Sequence, residues 1–323
     1  MSDLERTWVL VLAGGGVDPP ESQHGHVSNP DQHRFGGLLQ PQSLLRMTLS
    51  RARVIVPCER ICLLVNREYK RNSSGSLTRR FYGNAIVQPR HRGSAVEILL
   101  AVLTILNRDP RARIVPLPAH HYVHNESALA SSLLDAATPT AHTRNKLTLV
   151  GIHPEDADSD WGFIVPGRWF EDGTRSVHRI VHSPAEVSAH ELWARGALWD
   201  SSIVAARAVV FLSVLRARMP DLVDQMEMAL AQGDGSEARA GALTQLYARL
   251  PFVDFSHVLS QGAEAECRVI TSRPCGWSDL GTARRVAAVI RRLQLPEPRV
   301  RAAGRVGQVI PPRVVQPLMK VEP

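Results

Sequence analysis

The sequence predicts an α/β domain with a mainly parallel sheet flanked by helices. Three observations carry this. Continuous apolar runs of five or six residues recur along the chain, as expected of strands buried on both faces. Longer helix-period segments lie between them. The first run, Trp8-Val-Leu-Val-Leu-Ala13, breaks at Gly14-Gly15-Gly16, a strand ending in a glycine turn.

The elements follow in order. Residues 17–37 are rich in Pro, Gly, His, Ser and Asn and form a long loop. Ser43 to Val54 is a helix and Ile61-Cys-Leu-Leu-Val65 a second strand. Residues 67–84 are polar and basic, with a mobile tip at Asn72-Ser-Ser-Gly-Ser76; Ala85-Ile-Val87 is a short strand. Ser94, with Glu97 three residues on, reads as a capping box opening a helix through Leu106. Arg113 to Leu117 is a strand, Asn125 to Ala136 a helix, and Leu147 to Ile152 a strand. Pro184 to Gly196 is a helix with proline in its first turn and glycine at its end. Ile203 to Ala206 is a short strand, followed by helices to about Leu250. Cys267 to Ile270 is a late strand and Thr282 to Leu293 a final amphipathic helix. Residues 1–295 make one domain. In 296–323, prolines, arginines and single hydrophobes mix without period, which reads as a tail.

Charge and composition narrow the partners. The 323 residues carry 38 Lys+Arg against 31 Asp+Glu, a net of +7. Residues 51–92 alone hold ten basic and two acidic side chains, a face suited to phosphates or simply a solvated rim. Aromatics are 5% and form no interleaved strip, which argues against nucleic acid as the primary partner. No apolar stretch reaches the roughly 20 residues of a spanning helix. The polar start Met1-Ser-Asp-Leu-Glu-Arg6 has no basic signal region, so a cytoplasmic protein with no membrane partner is expected. Cys58, Cys62, Cys267 and Cys275 are expected as small buried hydrophobes rather than a disulfide framework or a metal site.

The glycine turn brings backbone N–H groups close to a phosphate, or is a plain tight turn. It is neither a P-loop nor G-x-G-x-x-G. More specific are seven segments in order: Leu10-Val-Leu-Ala-Gly-Gly-Gly16, Val87-Gln-Pro-Arg-His-Arg-Gly-Ser-Ala95, Pro116-Leu-Pro-Ala-His-His-Tyr-Val123, Leu149-Val-Gly-Ile-His-Pro154, Trp161-Gly-Phe-Ile164, Gly196-Ala-Leu-Trp-Asp-Ser-Ser-Ile203 and Gly276-Trp-Ser-Asp-Leu-Gly281. Together they resemble the sugar-nucleotide pyrophosphorylases, most like the mannose-1-phosphate guanylyltransferases. The resemblance covers residues 8 to about 294.

The resemblance implies a Rossmann-like core of the nucleotide-diphospho-sugar transferase type. It implies GTP and a sugar 1-phosphate as substrates and Mg²⁺ as cofactor. It assigns nucleotide contacts to Ala13, Gly14, Gly15, Gly16, Gln88, Arg92, Gly93 and Ser94. Sugar-phosphate contacts fall on Gly162, His182, Trp199, Asp200 and Ser201, metal ligands on His120 and Asp279, and catalytic roles on Arg34 and Asp279.

The departures fall where charge matters. Pro19 stands in place of the turn arginine, His33-Arg-Phe35 in place of Lys-Gln-Phe, and His182-Ser-Pro184 in place of Glu-Lys-Pro. His120 replaces an aspartate and Trp199-Asp-Ser-Ser202 replaces Trp-Asn-Ser-Gly. Losing one transition-state charge contact typically costs about 10²–10³ in rate. Arg34, Arg90 and Arg92 are the residues that could compensate. His120 beside Asp279 favours Mn²⁺ or Co²⁺ over Mg²⁺, or is an inert polar residue where a metal once bound. Two functions are therefore expected. One is a mannose-1-phosphate guanylyltransferase-like enzyme. The other is a non-catalytic nucleotide- or sugar-nucleotide-binding relative that regulates or scaffolds a partner. A homodimer or a partner protein fits both. A basic module binding an anionic polymer ranks below them.

Overall fold

The computed structural model describes residues 3–14, 41–67, 84–140, 142–159, 161–182, 184–232, 237–281 and 283–293. The long loop, the Asn72–Ser76 tip and the tail fall outside them.

A nine-stranded sheet in the order β3-β2-β1-β4-β9-β6-β10-β8-β7 forms the centre. Its strands are β1 (Thr7–Leu12), β2 (Ile61–Asn66), β3 (Ala85–Gln88), β4 (Arg113–Pro118), β6 (Leu147–Ile152), β7 (Phe163–Trp169), β8 (Arg175–Val181), β9 (Leu198–Arg207) and β10 (Cys267–Thr271). The expected parallel pairing runs through β3-β2-β1-β4 and joins β6 to β10. β9 pairs antiparallel with β4, β6 and β7, and β8 pairs antiparallel with β7 and β10, so the second half is mixed. β10 enters between β6 and β8, both earlier in the chain.

The continuous apolar runs are explained by burial on both faces. In β1, Val9 and Val11 join one core cluster while Leu10 and Leu12 join the other. In β2, Ile61, Leu63 and Val65 alternate in the same way with Cys62 and Leu64. Helices α1 (Pro41–Ile55) and α3 (Glu126–Ala137) cover the first face. Helix α2 (Ser94–Arg108) covers the second, with α5 (Ala208–Arg218), α6 (Pro220–Leu230), α7 (Glu237–Arg249) and the short α8 (Phe255–Leu259). A fully buried Leu or Ile contributes about 1.5–3 kcal/mol, so these alternating sets fix the register. The cysteines are free thiols; burial pushes Cys62 up to about 11, which suits a small core residue and not a metal ligand.

Three expectations are corrected. Ser94 does not cap its own helix, because Gly93 is the N-cap. Ser94 Oγ donates to Asp254 Oδ1 (3.3 Å) and accepts the Phe255 N–H (2.8 Å), so it caps α8 instead. Helix α4 starts at Glu186 and runs to Ala194, which leaves Pro184 ahead of its first turn. β9 begins five residues before Ile203, because the polar Asp200-Ser-Ser202 stretch hides its first half. The β7–β8 hairpin carried no periodic signal, since Pro166 and Gly167 interrupt it and its far end is exposed.

Residues 92–95 are zipped to 253–255. Val253 N donates to Arg92 O (3.0 Å) and Ala95 N to Val253 O (3.1 Å). Gly93 sits at φ +89°, and a Cβ there would lie 2.2 Å from Val253 O. Gly93→Ala is therefore expected to cost at least about 2 kcal/mol, through left-handed strain and displaced backbone. A drop of several degrees in melting temperature checks this; an unchanged value would show that the two segments are not zipped.

Candidate active site

The parallel strands end on one edge, and six of the seven motif segments meet there. Ala13 N donates to Leu64 O (2.9 Å) and Ala119 N to Leu12 O (3.0 Å), which ties the first strand end to its neighbours. A Cβ on Gly14 would lie 2.3 Å from Gln88 Nε2 and 2.7 Å from Glu97 Oε1, so the glycine lets the strand end rest directly on these two side-chain tips. Gln88 Nε2 donates to Glu97 Oε1 (2.6 Å), and His91 Nδ1 meets the same oxygen at 2.7 Å. Glu97 is thus a buried carboxylate that holds Gln88 in place.

The other nucleotide candidates divide. Arg92 donates from Nε to Tyr247 O (2.9 Å) and from Nη2 to Ala248 O (3.4 Å), closing the end of α7. Gly93 and Ser94 belong to the backbone zipper. Ala13, Gly14 and Gln88 remain at the strand ends, while Gly15, Gly16 and Arg34 lie outside the described residues.

A two-stranded ribbon builds the charged centre. β5 (His121–Val123) pairs antiparallel with β11 (Trp277–Asp279), setting Asp279 opposite His121. Leu280 N donates to His120 O (3.1 Å). One ligand atom from each of His120, His121 and Asp279 lies within 4.8 Å of the others. His120 Nε2 is 3.4 Å from Asp279 Oδ1, which also accepts the Gly281 N–H at 2.6 Å. Arg285, on helix α9 (Ala283–Arg292), places Nη1 3.4 Å from Asp279 Oδ2 and its guanidinium carbon 3.6 Å from the Trp161 ring centroid. Burial would raise the Asp279 carboxyl, but the charge and hydrogen bond of His120, then Arg285, hold it well below the usual carboxylate range. Desolvation would lower His120, and the Asp279 charge and hydrogen bond outweigh it and raise the imidazole. His121 is pushed well below its usual value, first by burial and then by His120, and is neutral.

The third group lies beside this centre. Trp161 packs on Trp199 (centroids 5.2 Å) and on Trp277 (4.8 Å). Gly162 O accepts the Asp200 N–H (2.8 Å), and Asp200 Oδ1 accepts the Ser202 N–H (2.8 Å). The Ser201 hydroxyl is turned inward, donating to Val150 O (2.5 Å) and accepting the Ile203 N–H. His182 is exposed and stands edge-on to His257 (5.6 Å). Sequence reasoning missed His121, Arg285 and His257. His121 sits inside a quoted motif, whereas nothing in the pattern of a basic amphipathic helix singles out Arg285.

The same α/β fold is seen in a solved putative glucose-1-phosphate thymidylyltransferase from Bacillus anthracis, with TM-score 0.52, 12% identity, and 90% of this chain and 96% of that one covered. The chain is similar in structure to a protein from Thermus thermophilus described as mannose-1-phosphate geranyltransferase, with TM-score 0.70, 23% identity, and 91% of this chain and 80% of that one covered. In sequence it is similar to proteins named mannose-1-phosphate guanylyltransferase. It is 26% identical to mannose-1-phosphate guanylyltransferase 2 of Escherichia coli O157:H7 over 85% of this chain and 58% of that one. It is 27% identical to the alginate biosynthesis protein AlgA of Pseudomonas syringae pv. tomato over 61% of this chain and 40% of that one. The chain thus spans about two fifths to three fifths of the length of these curated relatives. No family model matches it. No described helix is long and apolar enough to cross a membrane.

Ser202 stands in the position of the motif glycine and adopts a left-handed φ of +56°, unlike every other described non-glycine residue. A β-branched side chain tolerates this conformation poorly. Ser202→Val is expected to lose about 2 kcal/mol and Ser202→Gly to lose nothing. Equal melting temperatures for the two variants would overturn this reading of the turn.

Proposed function

We propose that the chain is a sugar-1-phosphate nucleotidyltransferase of the mannose-1-phosphate guanylyltransferase kind, forming GDP-mannose and pyrophosphate from GTP and mannose 1-phosphate. An oxygen of the sugar phosphate attacks the α-phosphorus of GTP. The bond from that phosphorus to the α–β bridging oxygen breaks, and pyrophosphate leaves with the oxygen. The observation that supports this reading is the convergence of segments distant in sequence on one edge: Ala13-Gly14, Gln88, His120-His121, Trp161-Gly162, Trp199-Asp200 and Asp279.

In this reading the strand end at Gly14, over Gln88, receives the nucleotide. Asp200, Gly162 and the His182–His257 pair face the sugar phosphate. The Ser201 hydroxyl acts on the backbone, positioning its neighbours. Arg285 supplies a fixed positive charge that the motifs did not reveal. A divalent cation held by His120 and Asp279 would neutralise phosphate charge. One carboxylate shared with a guanidinium is a poor set for Mg²⁺ and, with imidazole beside it, a better one for Mn²⁺ or Co²⁺.

A second reading has its own support. The carboxylate already carries two cationic neighbours, and His182-Ser-Pro184 lacks the motif's lysine. Both features suit a relative that binds a nucleotide or sugar nucleotide without turnover and acts on a partner.

GTP or GDP-mannose is expected to raise the melting temperature, since a ligand at 100 times its Kd stabilises by about 2.7 kcal/mol. Pyrophosphate release from GTP and mannose 1-phosphate is expected in a coupled assay with Mn²⁺, and is lost in Asp279→Ala. No thermal shift at millimolar ligand removes the pocket reading. A shift without release of pyrophosphate selects the non-catalytic reading.

A further inference from the structure

Among the described residues, one cluster of metal-ligating side chains gathers in three dimensions, and it has a member the motifs did not assign. His121 is 1% exposed, and neither ring nitrogen has a hydrogen-bond partner. Leaving a buried polar atom unpaired costs about 1–3 kcal/mol. The ring stands edge-on to His120 (5.0 Å) and to Trp277 (5.1 Å), so its position is fixed. His120 and Asp279 each bring a ligand atom within 4.8 Å of one on His121, and His120 is half exposed, giving a route from solvent. The observed 3.4 Å between His120 Nε2 and Asp279 Oδ1 matches the separation of two ligands on one ion with bonds of about 2.1 Å.

We infer that His120, His121 and Asp279 form a resident centre for a transition-metal ion such as Zn²⁺ or Co²⁺, held by the protein without nucleotide. Once the ion displaces the His120 proton, two imidazoles and one carboxylate oxygen select a borderline-soft ion. Arg285, on the other carboxylate oxygen, withdraws the charge a hard ion needs. An orphaned imidazole thereby gains its partner. The centre goes beyond the reaction proposed above and stands whether or not the chain turns over.

The test uses the full chain, stripped with chelator and titrated with Co²⁺ in excess Mg²⁺, without nucleotide. Bound metal is counted by elemental analysis and its ligand field read from the visible absorption of Co²⁺. Wild type is expected to take one equivalent and show imidazole-bound Co²⁺ bands. His121→Phe keeps the aromatic contact with Trp277, and Asp279→Asn keeps an acceptor for the Gly281 N–H. Each is expected to weaken Co²⁺ by at least about 100-fold, since even loss of an outer-shell partner costs 10–100-fold. Circular dichroism reports whether each variant is folded, and His121→Gln replaces the Phe variant if that one is not. His178→Ala, at an exposed histidine on β8, is expected to bind as wild type does. Equal Co²⁺ affinity in wild type and folded His121 variants, or no Co²⁺ bound by wild type, overturns the centre. Melting shifts with GTP on the same samples separate the two proposals. Metal retained without a nucleotide shift sinks only the nucleotide reading, and a nucleotide shift without metal sinks only the centre.

Discussion

The candidate site depends on the ribbon that joins His121–Val123 to Trp277–Asp279. The nine-stranded sheet alone would leave the two segments apart, one after the fourth strand and one after the last. The ribbon crosses the strand ends and fixes Asp279 against His121 by backbone register, so side-chain placement follows from main-chain hydrogen bonds. Gly276 makes the approach possible: it sits at φ +59°, and a Cβ there would press to 2.8 Å on the His124 side chain. The neighbouring N–H of Gly281 and the guanidinium of Arg285 then fix the carboxylate.

Much of the fold was legible because the sheet is buried on both sides. The alternation of Val9 and Val11 with Leu10 and Leu12 writes each strand as an unbroken apolar run. Legibility fails where tertiary partners replace local ones. Ser94 and Glu97 have the spacing of a capping box, yet Ser94 caps a helix more than 150 residues away and Glu97 anchors Gln88 and His91. The hairpin and the first half of β9 are polar or interrupted, and pair because flanking strands enforce it.

The candidate site was legible in the segments that meet there and not in its charge. Quoted motifs placed Gly14, Gln88, His120, Trp199 and Asp279 on one edge. They also nominated Arg92, whose guanidinium serves two helix carbonyls. A guanidinium carries the same charge whether it meets a phosphate or a helix end, so sequence cannot tell the two apart. Arg285 shows the converse. It lies on a helix whose composition reads as a solvated basic face, and is nevertheless 7% exposed against Asp279 and Trp161.

The place of β10 has a consequence for how the chain is made. It is the ninth and last strand of the sheet to be synthesised, and it inserts between β6 and β8. Until Cys267–Thr271 leaves the ribosome, β6 offers one unpaired backbone edge and β8 another. Such edges are templates for pairing with other chains. The nascent protein therefore passes through a state in which the β7–β9 pairing holds the hairpin to the sheet while a gap stays open between β6 and β8, and its yield depends on how well that gap is shielded before the last strand arrives.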